Sequence, residues 1–488
     1  MIRGAIVSIA ALLLTACSLG PAYQKPTTPV PPAFKEASGA TDNGPWRPAQ
    51  PSDDAMRGKW WEAYGDPALN ALEERINISN QNLAQAEAQY RGARAAVGLA
   101  RSGLFPSVTA GASASRSRGT SSRATSSSGA ATTSNFFQVP VDAGWEVDLF
   151  GRIRKAVESS VALAQASEAD MESLRLALHA ELAADYFTLR GIDAQKQLLD
   201  STVAGYELTL RITTNRYDQG VVSGADVAQA RTQLETTRAQ AIDLGVARAE
   251  VEHAIAILVG QPPADLAIAP APSPVVPPQI PLIMPSQLLE RRPDIAAAER
   301  RMASANAQVG IARAAYFPTL SLSGAAGFQS STLSNLFSLP ARFWSIGAAV
   351  AEPLFDAGKR RATNEQAVAA WDASVAAYRE SVLTAFGQVE DNLAALRILA
   401  EESVQQAQAE AAAEHGLKLA RNRYEAGVTS YLEVITAQNA FLANERTSVD
   451  LLTRRMVASV NLVKALGGGW QGNWSAKTAA IEVPSPRE

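Results

Sequence analysis

Leu104-Phe105-Pro106-Ser107 has a close counterpart later in this chain, Tyr316-Phe317-Pro318-Thr319. Leu149-Phe150 before Gly151 likewise returns as Leu354-Phe355 before Gly358. The third match joins Arg216-Tyr217, Gly220-Val221 and Ser223 to Arg423-Tyr424, Gly427-Val428 and Ser430. Three matches in one order, at nearly one spacing, indicate an internal duplication. Each copy predicts a helix, a β-hairpin, a long helix, a tight turn and a further helix.

The hairpin segments alternate between apolar and polar residues, as strands do when one face meets lipid and the other meets water. A soluble sandwich strand alternates in the same way, but the long flanking helices make it the weaker interpretation. Four strands cannot close, and eight give an interior filled by side chains, so several copies must pool their strands. Three copies would give twelve strands and an open passage. The expected strands are about 105–116, 136–149, 317–328 and 342–355.

The helical segments carry apolar residues at every third or fourth position. About 65 residues at 1.5 Å each give the longest ones a length of roughly 100 Å. Abundant alanine lets helices approach closely, so the predicted fold is mainly α, with the long helices forming a coiled-coil-like wall that reaches into the periplasm. A lipid-anchored structural coiled coil is the alternative, which leaves the hairpins without a role. The expected helices are about 67–104, 151–215, 224–260, 286–316, 359–422 and 430–466.

The N-terminus resembles that of a bacterial lipoprotein. A basic residue precedes an apolar run that is too short to span a bilayer, which is typical of a signal peptide. The run ends at Leu14-Thr15-Ala16-Cys17, similar to a lipobox, and Cys17 is the only cysteine. The resemblance implies acyl chains such as palmitate on Cys17 and, with Ser18 following, sorting to the outer membrane of a Gram-negative bacterium. The alternative is an ordinary signal peptide with a stray cysteine.

Proline content and the repeats divide the chain into six segments. Two of them, before the first repeat and between the repeats, are proline-rich, and the first of these is expected to be an extended tether. They are the signal peptide 1–16, the lipidated tether 17–58, the first repeat 59–269, the linker 270–285, the second repeat 286–468 and the C-terminal tail 469–488, whose fold the sequence does not indicate.

Composition and spacing argue against other classes of protein. A net charge of -4 gives no basis for a nucleic-acid partner. Isolated histidines, no nucleophile elbow and no phosphate-binding loop argue against an enzyme, a metal site and an ATP-driven pump. The chain is therefore expected to have no catalytic activity, no metal and no cofactor except lipid on Cys17. The histidines are His179, His253 and His415, and the adjacent pair Glu73-Glu74 is expected to be solvated.

Jointly, these motifs resemble the outer-membrane factor family of TolC-like channels over about residues 58–468. The string Arg291-Arg292-Pro293-Asp294-Ile295 is similar to its OprM/NodT-type efflux lipoproteins. The resemblance implies a mainly α chain that forms, as a homotrimer, a twelve-stranded membrane β-barrel continued by a long α-helical barrel. This trimer would be the channel of a tripartite system that passively conducts drugs and other small toxic solutes outward. A periplasmic adaptor and an inner-membrane pump would be its partners. A type I protein-secretion duct has the same architecture, and the lipobox and the arginine string favour efflux.

The two Gly-Val-x-Ser turns are predicted to form the periplasmic tip. Gly220 and Gly427 would stop a helix in the left-handed conformation, and Ser223 and Ser430 would cap the next one. The predicted tip residues are Gly220, Val221, Ser223, Asp226, Gly427, Val428, Ser430, Leu432, Glu433 and Thr436.

The resemblance also places an entrance constriction just beyond the second turn, where Leu432 would form an apolar ring. The family's acidic position four residues later is Thr436 here, so Glu433 and Asp226 are the candidate substitutes. Repeated around a threefold axis, such carboxylates would concentrate cations. We expect contacts at this tip to keep the tube shut until the adaptor docks.

Asp142, Glu146 and Asp148 share the polar parity of the second strand. They are expected to line the lumen and to favour cations. For Asp148, hydrogen bonding where the strand meets the helix is the alternative.

Overall fold

The computed structural model of the chain divides into two compact units. The sheet unit comprises the described parts of residues 1–27, 89–167 and 298–378, and the helical unit those of 28–88, 168–297 and 379–488. Expectations for the signal peptide, Cys17 and the tail 469–488 lie outside the described residues and stay predictions. The described residues are 20–28, 30–37, 46–48, 58–118, 133–271, 277–278, 280–282 and 291–468.

The helices follow the predicted order in both repeats. The helix before each tight turn has 67 residues, which confirms the expected length. Within the described ranges, no helix is both long enough and apolar enough to cross a bilayer. In chain order the α-helices are Pro67–Ser79 (α1), Gln81–Ser102 (α2), Arg152–Asp218 (α3), Gly224–Leu258 (α4), Pro293–Ala314 (α5), Lys359–Glu425 (α6) and Tyr431–Ala465 (α7).

The single helix expected at 67–104 is two helices, because Asn80 interrupts it. Its backbone is extended, and its Oδ1 accepts the N–H of Leu83 at 2.9 Å, which caps α2. Its Nδ2 donates to the carbonyl of Leu258 at 2.7 Å. The prediction of a single helix was wrong because the hydrogen bond to Leu258, 178 residues away, stabilises a bend at Asn80. The helical pattern of the sequence does not show this bend.

The predicted hairpins form one antiparallel sheet in the sheet unit. In chain order the strands of the chain are Trp46–Pro48 (β1), Ser107–Ala110 (β2), Ser113–Arg118 (β3), Thr133–Val147 (β4), Ile280–Leu282 (β5), Thr319–Ser330 (β6) and Arg342–Ala351 (β7). The order in this sheet is β2-β4-β6-β7, and β3 continues the pairing of β2 along β4. The β2 and β3 strands therefore form one edge and β7 the other.

The strand register gives the sheet one apolar face. Trp145 lies opposite Leu322, and Leu322 lies opposite Ala348. Glu146, on the other parity, lies opposite Ser321. Directly opposed residues point to the same side of a sheet. The alternation predicted from the sequence is therefore confirmed, and it runs in phase from strand to strand.

Residues 30–37, a described part of the tether, pack against a helix, which their proline content does not predict. In the helical unit, Phe34 is buried and its ring centroid lies 6.5 Å from that of Phe386. The backbone N–H of Glu36 donates to Glu390 at 3.0 Å. These contacts dock the segment on α6 by tertiary packing, which composition alone does not reveal.

The linker also contains regular structure. Its strand β5 pairs in parallel with β1 of the tether, with Trp46 opposite Ile280 and Pro48 opposite Leu282. Parallel pairing of two distant segments leaves no hairpin signal in the sequence, so this short sheet could not be predicted from it.

Candidate functional site: the helical turns and the polar strand face

The two tight turns of the helical unit have the same main-chain geometry. Gly220 and Gly427 both have a φ of +74°, the left-handed conformation that was predicted for them. The N–H groups of Val221 and Val428 donate to the carbonyl five residues earlier, at 2.9 Å in both turns. This Schellman arrangement satisfies the last carbonyls of a helix and favours glycine at the bend.

The two turns differ at the start of the following helix. Ser223 Oγ accepts the N–H of Asp226 at 3.3 Å, and Asp226 Oδ2 accepts the N–H of Ser223 at 2.9 Å. This capping box satisfies two free donors and puts an acidic group at the positive end of α4. Ser430 makes no side-chain capping bond, so its predicted role is wrong. Asp226 thus acts on its own helix.

Glu433 is bound by the turn that precedes it. Arg423 Nη1 lies 2.6 Å from Glu433 Oε1, and the hydroxyl of Thr429 donates to the other carboxylate oxygen. The side chains of the ion pair are 55% and 40% exposed, so it stabilises the turn by about 1 kcal/mol at most. Thr436 donates to the carbonyl of Leu432 at 2.9 Å and contributes no charge.

Three apolar side chains of the predicted tip are exposed. They are Val221, Val428 and Leu432, and all three are more than half accessible. The turns therefore combine a rigid main-chain geometry with exposed apolar side chains.

A buried cluster beneath the turns joins four helices, and the sequence reasoning missed it. The rings of Tyr424 and Tyr431 lie 5.4 Å apart, and the guanidinium of Arg216 lies 4.7 Å from the Tyr424 centroid. Ala230 and Val434 complete the cluster. An arginine over an aromatic ring contributes about 0.5–2 kcal/mol. The Arg-Tyr pair repeated at both turns was the available signal.

The three acids predicted to line the lumen have different environments. Asp142 is exposed in β4, opposite Thr109. Glu146 forms an ion pair with Arg152, which donates to its carboxylate oxygens at 2.8 Å. Asp148 lies just beyond β4 and accepts two N–H groups of the first turn of α3, at 3.1 and 2.8 Å. Asp148 therefore caps a helix, as the alternative expectation held, and Asp142 is the acid with the fewest constraints.

Glu73 and His179 form a buried ionisable pair in the helical unit. His179 Nδ1 lies 2.6 Å from Glu73 Oε2, and the imidazole stacks on Trp61 with centroids 4.4 Å apart. Burial raises the pKa of Glu73 to about 9. Burial, with a smaller effect from the charge of Arg175, lowers the pKa of His179 to about 4. The pair thus carries one proton at neutral pH, and the expectation that Glu73 is solvated was wrong.

Comparison with known proteins bears on both repeats. The family model described as outer membrane efflux protein matches residues 73–261 and 284–468. The chain is 33% identical over 484 residues to a toluene efflux pump outer membrane protein, TtgC, of Pseudomonas putida, covering 98% of each. It is 34% identical over 472 residues to the outer membrane protein OprJ of Pseudomonas aeruginosa, covering 96% of each.

A solved structure extends the similarity to the fold. The outer-membrane channel OprN superposes with a TM-score of 0.86 at 32% identity, covering 93% of this chain and 100% of that one. These matches, which span nearly the whole chain, confirm the predicted family resemblance and the predicted mainly helical fold of the single chain.

Proposed function

The chain belongs to the outer membrane efflux protein family and is an outer-membrane channel subunit of an efflux system. We propose that three copies of it conduct small apolar solutes passively out of the cell. Its family works with a periplasmic adaptor and an inner-membrane pump, which here would supply docking and energy. Its relative TtgC is named for toluene, a small apolar compound. The chain itself would then form the wall of the channel and would carry out no chemical step.

The sheet is the observation that supports a duct most directly. One face is apolar, the other is mainly polar, and the outer edge of each edge strand has no partner strand within the described residues. Lipid cannot satisfy the N–H and carbonyl groups of an open edge. Three copies, each adding its β2 and β3 edge to the β7 edge of the next, would leave no edge and would enclose a passage. The apolar face would then meet lipid, and Asp142 would face the passage.

A lipid anchor on Cys17 would suit the contacts of the segment that follows it. A Cβ built on Gly20 would lie 3.0 Å from the Cα of Gly310, so the two backbones are in close contact on α5. The side chain of Asn306 donates to the carbonyl of Pro21 at 3.0 Å. Gly20 is three positions after Cys17, which limits the distance between their Cα atoms to about 11 Å. Acyl chains on Cys17 would therefore stay close to the helix that leads into β6.

Metabolic labelling tests the anchor. Cells fed with an alkyne palmitate should label the wild-type chain, and Cys17→Ala should remove the label. Ser18→Ala keeps the cysteine and serves as the control, which should label normally. Label retained on the Cys17→Ala variant would place the acyl group elsewhere and refute this part of the proposal.

Channel recordings and complementation test the duct. The purified chain should run as a heat-resistant trimer on unboiled gels and should conduct ions in planar bilayers. A deletion strain should become sensitive to toluene, and the plasmid-borne chain should restore resistance. A monomer without conductance, or a deletion strain with unchanged resistance to every exported class tested, would contradict the proposal.

The second turn offers a test of gating. Glu433→Ala breaks the contacts with Arg423 and Thr429 and should raise single-channel conductance if they keep the entrance narrow. Asp226→Ala removes a carboxylate of the same charge, but one that caps α4, so it should leave the conductance unchanged. Equal conductance for Glu433→Ala and the wild type would remove Glu433 from the gate.

A further inference from the structure

Phe150 and Phe317 stack within one chain, where the first repeat meets the second. Their ring centroids lie 5.0 Å apart with an interplanar angle of 27°. Phe150 follows β4, and Phe317 precedes β6, which pairs with β4. Extending the register of Val147 opposite Leu320 by three residues brings position 150 opposite position 317. The stack therefore covers the end of the junction between the two repeats.

The duplicated counterparts of these residues flank the two open edges of the sheet. Phe105 precedes the edge strand β2 and is 66% exposed, and Phe355 follows the edge strand β7 and is 87% exposed. Leu354, beside Phe355, is exposed to a similar degree. Large apolar side chains are rarely left in water next to an open strand edge unless a protein surface covers them.

A small difference between the repeats explains why Phe355 projects from its own chain. In the first repeat, the capping residue Asp148 comes before Leu149-Phe150. In the second, the capping residue Asp356 comes after Leu354-Phe355, and it accepts the N–H of Arg360 at 3.2 Å. The two apolar residues thus lie between the end of β7 at Ala351 and the capping aspartate.

We infer that Phe355 of one copy stacks on Phe105 of the next copy, and so closes the junction between copies as Phe150 and Phe317 close the junction between repeats. This rests on the proposed homotrimer and names the contact that determines the register of its interface. The occupant is a second copy because this chain supplies both halves of the contact, on opposite edges of one sheet.

The register of the repeat junction can be transferred onto the open edges by matching the two aromatic pairs. With Phe355 opposite Phe105, Val350 falls opposite Ala110, and both belong to the apolar parity. Gly347 falls opposite Ser113, and both belong to the polar parity. Both faces of the sheet then continue across the interface without a break, as a closed wall requires.

Disulfide trapping tests the contact directly. Cys17 is the only native cysteine, so added thiols report on the chosen positions. Directly opposed positions bring Cα atoms within the range of about 4.4–6.8 Å that a disulfide needs. The variant Phe105→Cys with Phe355→Cys, oxidised in membranes, should give covalent dimers and trimers on boiled, non-reducing gels. Phe105→Cys with Ala357→Cys tests a register shifted by two residues and should give mainly monomers.

The outcomes separate this inference from the proposed function. Cross-linking of the Ala357 pair in place of the Phe355 pair would overturn the proposed register. Trimers on unboiled gels without either cross-link would also overturn it, while the duct would stand. If the wild-type chain forms no trimer, the inference and the proposed function fail together.

Dissociation kinetics provide a second test that does not need new thiols. Phe355→Ala should speed the thermal dissociation of trimers between about twofold and tenfold, the range expected for loss of an aromatic pair. Leu339→Ala is the matched control, since Leu339 is 70% exposed but lies at the other end of the hairpin. Phe105→Ala with Phe355→Ala should dissociate no faster than either single variant. Additive effects would show that the two rings do not touch.

Discussion

Replacing Glu73 by Gln should change how the stability of the fold depends on pH. In the folded chain Glu73 and His179 together carry one proton between about pH 4 and pH 9, since these are the pKa values that burial gives them. Because separated charges are costly in a buried site, we assign the proton to Glu73, which donates it to the neutral ring of His179. The Gln amide can donate to the same nitrogen, so the variant keeps the contact and loses the titration.

The size and sign of the effect follow from proton counting. In the unfolded chain the Glu and His pKa values are 4.5 and 6.5. Between pH 4.5 and pH 6.5 the pair carries one proton in both the folded and the unfolded state, so the unfolding free energy does not change with pH. Above pH 6.5 the unfolded pair carries none, so the folded state loses about 1.4 kcal/mol per pH unit until about pH 9. From pH 6.5 to 8.5 the wild type should therefore lose roughly 2–3 kcal/mol of unfolding free energy from this pair.

The Gln variant should behave in the opposite way. Its only remaining titration is that of His179, whose folded pKa is depressed, so stability rises up to pH 6.5 and is flat above it. Urea unfolding in detergent, followed by helical circular dichroism between pH 5 and 9, measures both curves. Glu74→Gln is the matched control, because Glu74 is exposed and pairs with Lys59, and its slope should equal that of the wild type. If wild type and Glu73→Gln run parallel above pH 6.5, Glu73 is ionised in the fold and the reasoning fails.

Three further predictions concern backbone geometry and charge. Asn80→Ala should lower the unfolding free energy by about 1–2 kcal/mol in urea titrations, because α2 loses its cap, and an unchanged midpoint would contradict this. Gly427→Ala should lower the unfolding free energy by about 1–2 kcal/mol because the φ of Gly427 is +74°. Gly416→Ala should raise it by up to about 1 kcal/mol, since Gly416 lies inside α6 with open space around it. Asp142→Asn should reduce the cation preference measured by reversal potentials more than Glu146→Gln does, since Arg152 already balances Glu146; the reverse order would exclude Asp142 from the passage.

The elements that the sequence predicted well are those with a local, periodic cause. Period-two alternation located the strands to within a few residues, and left-handed glycines located the turns. The duplication strengthened the prediction of the elements, because the same order of helices and strands could be predicted independently in each repeat. Main-chain geometry at Gly220 and Gly427 follows from neighbours in the chain, and so it could be predicted from them.

The features that the sequence did not reveal depend on partners far along the chain. Asn80 ends a helix because Leu258 accepts a bond from its side chain. Glu73 looks like a solvated surface acid until His179 is placed 106 residues away against it. The sequence match of Leu149-Phe150 with Leu354-Phe355 is also imperfect in space, because the capping aspartate lies on different sides of the two pairs. Composition and spacing carry no information on such contacts.

The two turns share one main-chain motif, but their acidic side chains have different hydrogen-bond partners. This difference bears on how an entrance at this tip would open. In the first turn, Asp226 is committed to the cap of α4 and strengthens its own helix. In the second, Glu433 is drawn to Arg423 and Thr429, and α7 begins without a side-chain cap. An exposed ion pair is weak and easily replaced by a competing partner, whereas a capping box is local and cooperative. A docking protein that offers its own charges to Arg423 and Glu433 would therefore loosen the second turn first, while the first turn remains a fixed support.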